Sequence, residues 1–327
     1  MNLRRHILKL ITAASLMLLG LQAIAQTFPS KPITILIGST AGSTTDGLAR
    51  AIGQEITLAT GQPVIVESRA GAGGGIAAQA AARATPDGYT VFITTNSTQA
   101  ANPHLFKKLA YDPVRDFAPV SGLVRGHMLM VVHPSVKANT VAEFIALAKQ
   151  NPNKLSFAEG SSSARVGSEL FKQLSGVQLT HVPYKTNPQA VIDLVGGQTD
   201  MMIADFTTTL PQVKAGKLRA LGVTSPKRSP LVPDIPALSE SPAALGLAGY
   251  DMSHWNALYV PAATPPAIVN RLNELMKMAL AKESVKRFAT QNGIEPFYTS
   301  PAELGAFQAI EVERWGRIIK AAGIQPE

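Results

Sequence analysis

Several residue types and motifs are missing from this 327-residue sequence, and each absence excludes a class of function. There is no cysteine, which rules out disulfide bonds and thiol chemistry. The six histidines include no H-x-x-x-H pair, and we predict no metal site and no cofactor. The net charge of +8 is not concentrated in a dense basic block with interleaved aromatic residues, so nucleic acid is not an expected partner. Stability must therefore come from packing, for which an apolar content of 46% suffices.

Nucleotide-binding loops are missing as well. The sequence contains no G-x-x-x-x-G-K-[ST] segment. The run Gly-Ala-Gly-Gly-Gly-Ile at residues 71–76 follows a predicted strand and opens a predicted helix, but Ile76 occupies the place of the last glycine in G-x-G-x-x-G. No acidic residue follows at a fitting ribose position, so we interpret these glycines as a close-packed turn.

A serine hydrolase motif is present only in incomplete form. Residues 160–164 read Gly-Ser-Ser-Ser-Ala, one residue short of G-x-S-x-G. No histidine can be placed beside these serines from the sequence, and no pair of carboxylates is recognisable for acid–base work. We predict no catalytic residue and no enzyme activity, and the alternative of a secreted hydrolase using residues 161–163 with His181 or His254 stays open.

The N-terminus has the features of a cleavable export signal. Basic residues at 4–9 precede an apolar run at 11–24, which ends in the small-residue pattern Ala23-Ile24-Ala25. We predict a signal peptide at residues 1–25 and a mature chain that begins at Gln26 in the periplasm. The paired Arg4 and Arg5 leave a twin-arginine signal open as the alternative route.

Strand and helix patterns alternate along almost the whole mature chain. This alternation is typical of α/β proteins, in which helices cover a parallel or mixed sheet, and about 300 residues favour two lobes over one core. The predicted strands lie at residues 33–37, 63–67, 89–94, 129–132, 155–158, 179–182, 201–204 and 218–223. Two tail helices are predicted to begin at Thr264-Pro265 and at Ser300-Pro301.

The loop after the first strand is the leading candidate for the ligand site. Loops that follow strands line the crevice of an open α/β sheet, and the first turn of a helix leaves amides free to bind an anion. The alternative is an ordinary turn in which Asp46 serves as the N-cap of a helix that opens there. We predict ligand-binding residues at Ser39, Thr40, Ala41, Gly42, Ser43, Thr44, Thr45 and Asp46.

Other strand-to-helix loops carry similar small polar residues. At 159–165, three serines precede Arg165. Its guanidinium suits a ligand carboxylate, and a surface ion pair with Glu159 or Glu169 is the equally weighted alternative. The loop at 94–98 is a second polar run, and Asp205 is a carboxylate that suits an ammonium or a bridging water. The further predicted ligand-binding residues are Asn96, Ser97, Thr98, Gly160, Ser161, Ser162, Ser163, Arg165, Tyr184 and Asp205.

A set of short motifs gives the chain a family resemblance. They are GQPV at 61–64, RAGAGG at 69–74, PDGYT at 86–90, YDPVRDFAPV at 111–120, HVPYK at 181–185 and KAGKLRAL at 214–221. In this order they resemble the Bug family of periplasmic solute receptors, which are the binding components of tripartite tricarboxylate transporters. The resemblance extends over essentially the whole mature chain.

The resemblance implies a type II periplasmic binding protein, with two α/β lobes and a ligand cleft between them. The first lobe would comprise residues 26–128 and 253–327, and the second lobe residues 129–252. Family members bind small carboxylates, including organic, amino and aromatic acids, through two strand-to-helix loops, which correspond here to residues 40–46 and 159–165. In this chain the first loop lacks the proline and the second glycine common in the family.

The same resemblance implies the partners. We expect a monomer that captures a small organic anion by lobe closure and delivers it to the membrane permease subunits of the transporter. A sensor that passes its ligand to a signalling partner is the remaining alternative.

Overall fold

A computed structural model describes residues 28–327, and its ten β-strands form one continuous sheet. The predicted signal peptide at residues 1–25 lies outside the described residues. The strand order is β2-β1-β3-β9-β4-β7-β5-β6, and β8 and β10 also pair with β4. The strands are β1 (Ile33–Ile37), β2 (Val64–Ser68), β3 (Thr90–Thr95), β4 (Phe117–Val132), β5 (Ser156–Glu159), β6 (Thr180–Pro183), β7 (Met201–Asp205), β8 (Arg219–Val223), β9 (Ser253–Pro261) and β10 (Ile294–Pro296).

The long strand β4 joins the two lobes. From Phe117 to His127 it pairs antiparallel with β9, and from Met128 to Val132 it pairs with β7 and β8. Strands β1, β2, β3, β9 and β10 therefore belong to the first lobe, and β5 to β8 belong to the second. This change of partner lies beside the lobe boundary at 128–129, which stays a prediction.

Helices follow most strands and cover both lobes. They are α1 (Thr44–Thr60), α2 (Gly75–Ala82), α3 (Asn102–Leu105), α4 (Val141–Gln150), α5 (Ser162–Ser175), α6 (Asn187–Val195), α7 (Phe206–Lys214), α8 (Pro266–Leu280), α9 (Glu283–Gln291) and α10 (Pro301–Ala321). A one-turn π-helix at Ser97–Ala101 precedes α3. None of the described helices combines the length and apolar character that a membrane crossing requires.

Side-chain alternation along the strands builds the core. In β1, Ile33, Ile35 and Ile37 are buried against α1 and α8, while Leu36 points to the opposite face of the sheet. That opposite face packs with Trp315 of α10 in a cluster that continues into the second lobe. The apolar pattern of the sequence therefore fixes which face of each strand meets which helix.

The structure corrects several predicted elements. Helix α1 begins at Thr44, and its N-cap is Ser43, whose Oγ accepts from the amide of Asp46 at 3.2 Å. Asp46 is the third helical residue and not the N-cap; its carboxylate accepts from the amide of Gly42 at 3.2 Å and pairs with Arg50 at 2.9 Å. The sequence patterns also missed the first half of β4, as well as β9, β10, α7 and α9.

Candidate functional site

A cavity opens between the lobes at the carboxyl ends of β1, β3, β5 and β7. It encloses about 800 Å³ of space, including its opening to solvent. Small hydroxylated residues and glycines form most of its wall. The lining residues used below are Ser39, Ser43, Thr44, Thr45, Asn96, Gly160, Ser161, Ser163, Lys185, Thr186, Asn187, Asp205, His254 and Asn256.

The first turn of α1 forms one side of the cavity. Gly42 adopts a φ of 81°, which turns the chain from the end of β1 into the helix. Ser43 caps the helix and its Oγ lies 2.8 Å from the Oγ of Ser39. Among the described residues, the amides of Thr44 and Thr45 have no hydrogen-bond acceptor, as expected for the first two positions of a helix. These two N–H groups can bind an anion.

The first turn of α5 forms the opposite side. Ser161 is the N-cap and its Oγ accepts from the amide of Ala164 at 3.2 Å. The amides of Ser162 and Ser163 likewise have no acceptor in the described part of the chain. Gly160 approaches Thr186 so closely that a Cβ there would lie 2.0 Å from the Thr186 carbonyl carbon. Only glycine at 160 therefore lets the two loops of the second lobe pack together.

Direct hydrogen bonds connect the lobes around the cavity. Those beside the main cavity involve mostly uncharged hydroxyl and amide groups, and the Thr44 hydroxyl donates both to the Asp205 carboxylate and to Thr207 Oγ1, the latter at 2.8 Å. The bonded pairs include Thr40 Oγ1 and Thr186 Oγ1 at 3.0 Å, Thr44 Oγ1 and Asp205 Oδ1 at 2.9 Å, Asn96 Nδ2 and Ser163 Oγ at 2.8 Å, and Ser162 Oγ and Asn102 Oδ1 at 2.7 Å. The lobes therefore meet through the same loops that carry the free amides.

Hydrogen-bond acceptors line a third part of the cavity. Asp205 is half-buried, while His254 and Asn256 lie on β9 and are 7% and 1% exposed. The Nε2 atom of His254 and the Oδ1 atom of Asn256 are buried without a hydrogen-bond partner among the described residues. Burial lowers the pKa of His254, although the Asp205 carboxylate partly offsets this effect, so the imidazole is neutral at neutral pH.

Most of the predicted ligand-binding residues line this cavity, and some lie around it. Those on the wall are Ser39, Ser43, Thr44, Thr45, Asn96, Ser97, Thr98, Gly160, Ser161, Ser163 and Asp205. Thr40 and Ser162 form lobe-to-lobe hydrogen bonds beside it, Gly42 and Asp46 shape the start of α1, and Ala41 is exposed. Their roles in ligand binding stay predictions.

Arg165 and Tyr184 lie on a neighbouring cavity of about 720 Å³. The Nη1 atom of Arg165 donates to Glu327 Oε1 at 2.5 Å, and the Tyr184 hydroxyl donates to Asp193 at 2.8 Å. The two surface partners considered from the sequence, Glu159 and Glu169, pair instead with His181 at 3.1 Å and Lys172 at 2.8 Å. Arg165 therefore lies outside the wall of the main cavity, and direct binding of an anion by its guanidinium stays a prediction.

Sequence reasoning missed several residues on the cavity wall, including five that matter for the proposals below. Thr186 and Asn187 end the loop between β6 and α6, and Lys185 lies beside the predicted Tyr184, so the strand-to-helix rule contains the signal for all three. His254 and Asn256 come from within β9, where no loop marks them. The pairing of β9 with β3 and β4 brings them to the cavity.

The geometry required for serine hydrolysis is not formed by residues 161–163. The hydroxyls of Ser161, Ser162 and Ser163 interact with the Ala164 amide, Asn102 and Asn96, and no histidine bonds to them among the described residues. His181 stacks on Phe157 and pairs with Glu159. The described residues also contain no cluster of three metal-ligating side chains.

Comparison with known proteins places this site in a family context. A sequence model described as the tripartite tricarboxylate transporter family receptor matches residues 48–324. Protein BugT of Bordetella pertussis is 33% identical over 303 residues, which cover 91% of each chain. A UPF0065 protein from the tcbD-tcbE intergenic region of Pseudomonas sp. (strain P51) is 36% identical over 295 residues, covering 89% of this chain and 86% of that protein.

Solved structures have the same fold. An R. palustris protein with adipate superposes with a TM-score of 0.88 at 33% identity, covering 92% of this chain and all of that one. Periplasmic binding protein BugD gives a TM-score of 0.86 at 30% identity with the same coverage. MatC from Rhodopseudomonas palustris with bound malate gives 0.83 at 30% identity, covering 89% of this chain and 100% of MatC. These structures confirm the predicted two-lobed α/β fold class.

Proposed function

Because the chain belongs to the tripartite tricarboxylate transporter receptor family, whose members are periplasmic solute-binding receptors, we propose that it captures a small carboxylate between its two lobes for a membrane permease. The main observation behind this proposal is that the first turns of α1 and α5 lie on opposite sides of one cavity. Thr44 and Thr45 of α1 and Ser163 of α5 line the same cavity, and their amides have no acceptor among the described residues. Two helix N-termini aimed at one space favour an anion there.

The energetics of such a site are adequate. A hydrogen bond to a charged group contributes about 1.5 to 3 kcal/mol, so three or four of them offset the cost of ordering a small ligand. Micromolar capture needs only about 8 kcal/mol in total. Backbone amides also bind a carboxylate without adding a fixed positive charge, so the site can release its ligand when the lobes separate.

The relatives support a carboxylate as the class of ligand. The two structures from R. palustris described above contain adipate and malate, and both are at least 30% identical to this chain. We extend that chemistry to this protein as a small organic, amino or aromatic acid. Lobe closure, delivery to the permease subunits of a tripartite transporter, a monomeric state and export through a signal peptide at 1–25 are parts of the same proposal.

Proline at the first helical position provides a sharp test of the amide grip. A proline is tolerated at this position of a helix and removes one N–H group. Ser43 has a ψ of 160°, which is compatible with a following proline, so Thr44→Pro should fold. The matched control is Thr44→Val, which removes the same hydroxyl but keeps the amide.

The measurement is isothermal titration calorimetry of residues 26–327 with a panel of organic, amino and aromatic acids. We expect at least one acid to bind, and Thr44→Pro to weaken its binding about 10- to 100-fold relative to Thr44→Val. Equal affinities of the two variants would rule out a role for the Thr44 amide. If no acid in the panel binds, or if the ligand is recovered chemically altered, the receptor proposal is wrong.

A further inference from the structure

We propose that the ligand is a zwitterionic amino carboxylate, with its carboxylate on the free amides of α1 and α5 and its ammonium on the acceptors of Asp205, Asn256 and His254. This inference rests on the proposed receptor function and narrows its substrate class. It follows from the unequal distribution of hydrogen-bond donors and acceptors around the cavity. The three acceptor residues are called the acceptor wall below.

Asp205 gives the acceptor wall its negative charge. Its Oδ1 accepts from the Thr44 hydroxyl at 2.9 Å and from the Thr208 amide at 3.1 Å, and its Oδ2 accepts from Asn187 Nδ2 at 2.8 Å. These bonds hold the carboxylate in place, yet no lysine, arginine or histidine forms an ion pair with it among the described residues. A fixed carboxylate without a cation attracts a positive group of the ligand and repels a negative one.

Asn256 and His254 supply neutral acceptors next to this charge. Asn256 uses its Nδ2 to donate to Thr45 Oγ1 at 2.9 Å, which leaves its buried Oδ1 without a partner. His254 has a buried Nε2 without a partner, and a neutral imidazole has one nitrogen that accepts a hydrogen bond. Buried polar atoms without partners are rare, and an ammonium group offers three N–H donors to acceptors of this kind.

A simple dicarboxylate fits this arrangement less well. If its first carboxylate occupied the amides, a second one directed at the acceptor wall would meet Asp205 and two further acceptors. The one cation on the described cavity wall is Lys185, which is exposed and lies on the side shared with the neighbouring cavity. A second carboxylate therefore belongs near Lys185, and the acceptor wall is left for the ammonium.

Matched pairs of acids that differ only in an amino group test the inference. We would titrate the mature chain at pH 7.5 with glutamate and glutarate, aspartate and succinate, and 2-aminoadipate and adipate. We expect the amino member of at least one pair to bind about 10-fold more tightly or better. If the acid without the amino group binds as tightly or more tightly in every pair that binds, the inference is wrong while the receptor proposal stands. If neither these acids nor the wider panel binds, the receptor proposal itself is wrong.

Variants of the acceptor wall separate recognition from a structural role. Asp205→Asn keeps the shape and one acceptor, and we expect it to weaken binding of the amino acid about 10- to 100-fold while leaving its deamino partner unchanged or tighter. Asn256→Asp adds a second carboxylate to the acceptor wall, so we expect it to increase the preference for the amino acid over its deamino partner. The control is Asp200→Asn, because Asp200 also accepts from a backbone amide, that of Ser156 at 2.7 Å, but lies outside the cavity wall. Equal weakening of both members of a pair by Asp205→Asn would contradict the inference.

Discussion

A covalent link across the cavity tests whether the two lobes must separate for a ligand to bind. Thr40 and Thr186 lie in opposite lobes, and their Oγ1 atoms are 3.0 Å apart, so replacing both with cysteine brings two sulfur atoms within bonding reach. The natural chain has no cysteine, so the introduced pair has no competing thiol. Oxidation of Thr40→Cys/Thr186→Cys should therefore form one defined disulfide.

The size of the effect follows from the length of chain that the link closes. The loop between the two positions is about 146 residues, for which the chain-entropy estimate is about 5 kcal/mol of added stability as an upper value. Unfolding of about 300 residues has an entropy of roughly 0.6 kcal/mol per kelvin, so the Tm should rise by up to about 8 °C. The linked lobes cannot separate, so ligand association should become at least about 100-fold slower than in the reduced protein.

Differential scanning fluorimetry and stopped-flow ligand binding, each with and without a reducing agent, measure the two effects. The single variants Thr40→Cys and Thr186→Cys are the controls, and reduction of the double variant should restore both Tm and association rate. Failure of the disulfide to form under mild oxidation would show that these loops are not neighbours in solution. A linked protein that binds ligand at the normal rate would refute the requirement for lobe separation.

Three further changes test other parts of the structure. Gly160→Ala forces the backbone at Thr186 to move, so the free energy of unfolding in urea should fall by about 1 to 3 kcal/mol and calorimetry should show weaker ligand binding. The control is Gly305→Ala in the interior of α10, which should raise the free energy of unfolding by roughly 0.5 to 1 kcal/mol. Equal effects of the two changes would contradict the close approach of Gly160 to Thr186. Burial lowers the pKa of His254 below its ordinary 6.5, so below about pH 6.5 the unfolded chain binds a proton that the folded chain does not, and the free energy of unfolding falls as the pH is lowered. His254→Gln should reduce the slope of the free energy of unfolding against pH by up to about 1.4 kcal/mol per pH unit. An unchanged slope would contradict this assignment. Glu311→Ala leaves two buried indole N–H groups without their shared acceptor and should cost about 3 to 5 kcal/mol in urea denaturation, while Glu311→Gln should cost less.

Local sequence patterns predicted the fold class because alternating strands and helices have distinct apolar periods. The family prediction is also confirmed, by the receptor match over residues 48–324. Two of the missed elements, β4 and α7, depend on tertiary contacts more than on local propensity. Pro119, Gly122 and Gly126 interrupt the apolar pattern of β4, which is held extended by pairing with β9 and not by its own propensity. In α7, Pro211 and three threonines read as a loop, but Asp205 caps the helix and buried contacts hold it.

The candidate site was predictable only where loops form it. The rule that ligands lie at strand-to-helix loops led to the free amides at 44–45 and 162–163. It could not find Asn256, because a residue within a strand reaches the cavity only when the sheet order is known. The direction of Arg165 depends on the packing of distant Glu327 against it, which no local pattern contains.

The position of β9 has a consequence for biosynthesis. Strand β9 lies between β3 and β4 in the sheet, although it follows β4 by about 120 residues in the chain. The sheet of the first lobe therefore has a gap until residues 253–327 have been synthesised. During that interval the facing edges of β3 and β4 lack their shared neighbour, and exposed strand edges favour aggregation. Residues 129–252 have no such dependence within their own part of the sheet. Nascent chains should therefore acquire the second lobe first and need protection by chaperones until the C-terminal segment inserts.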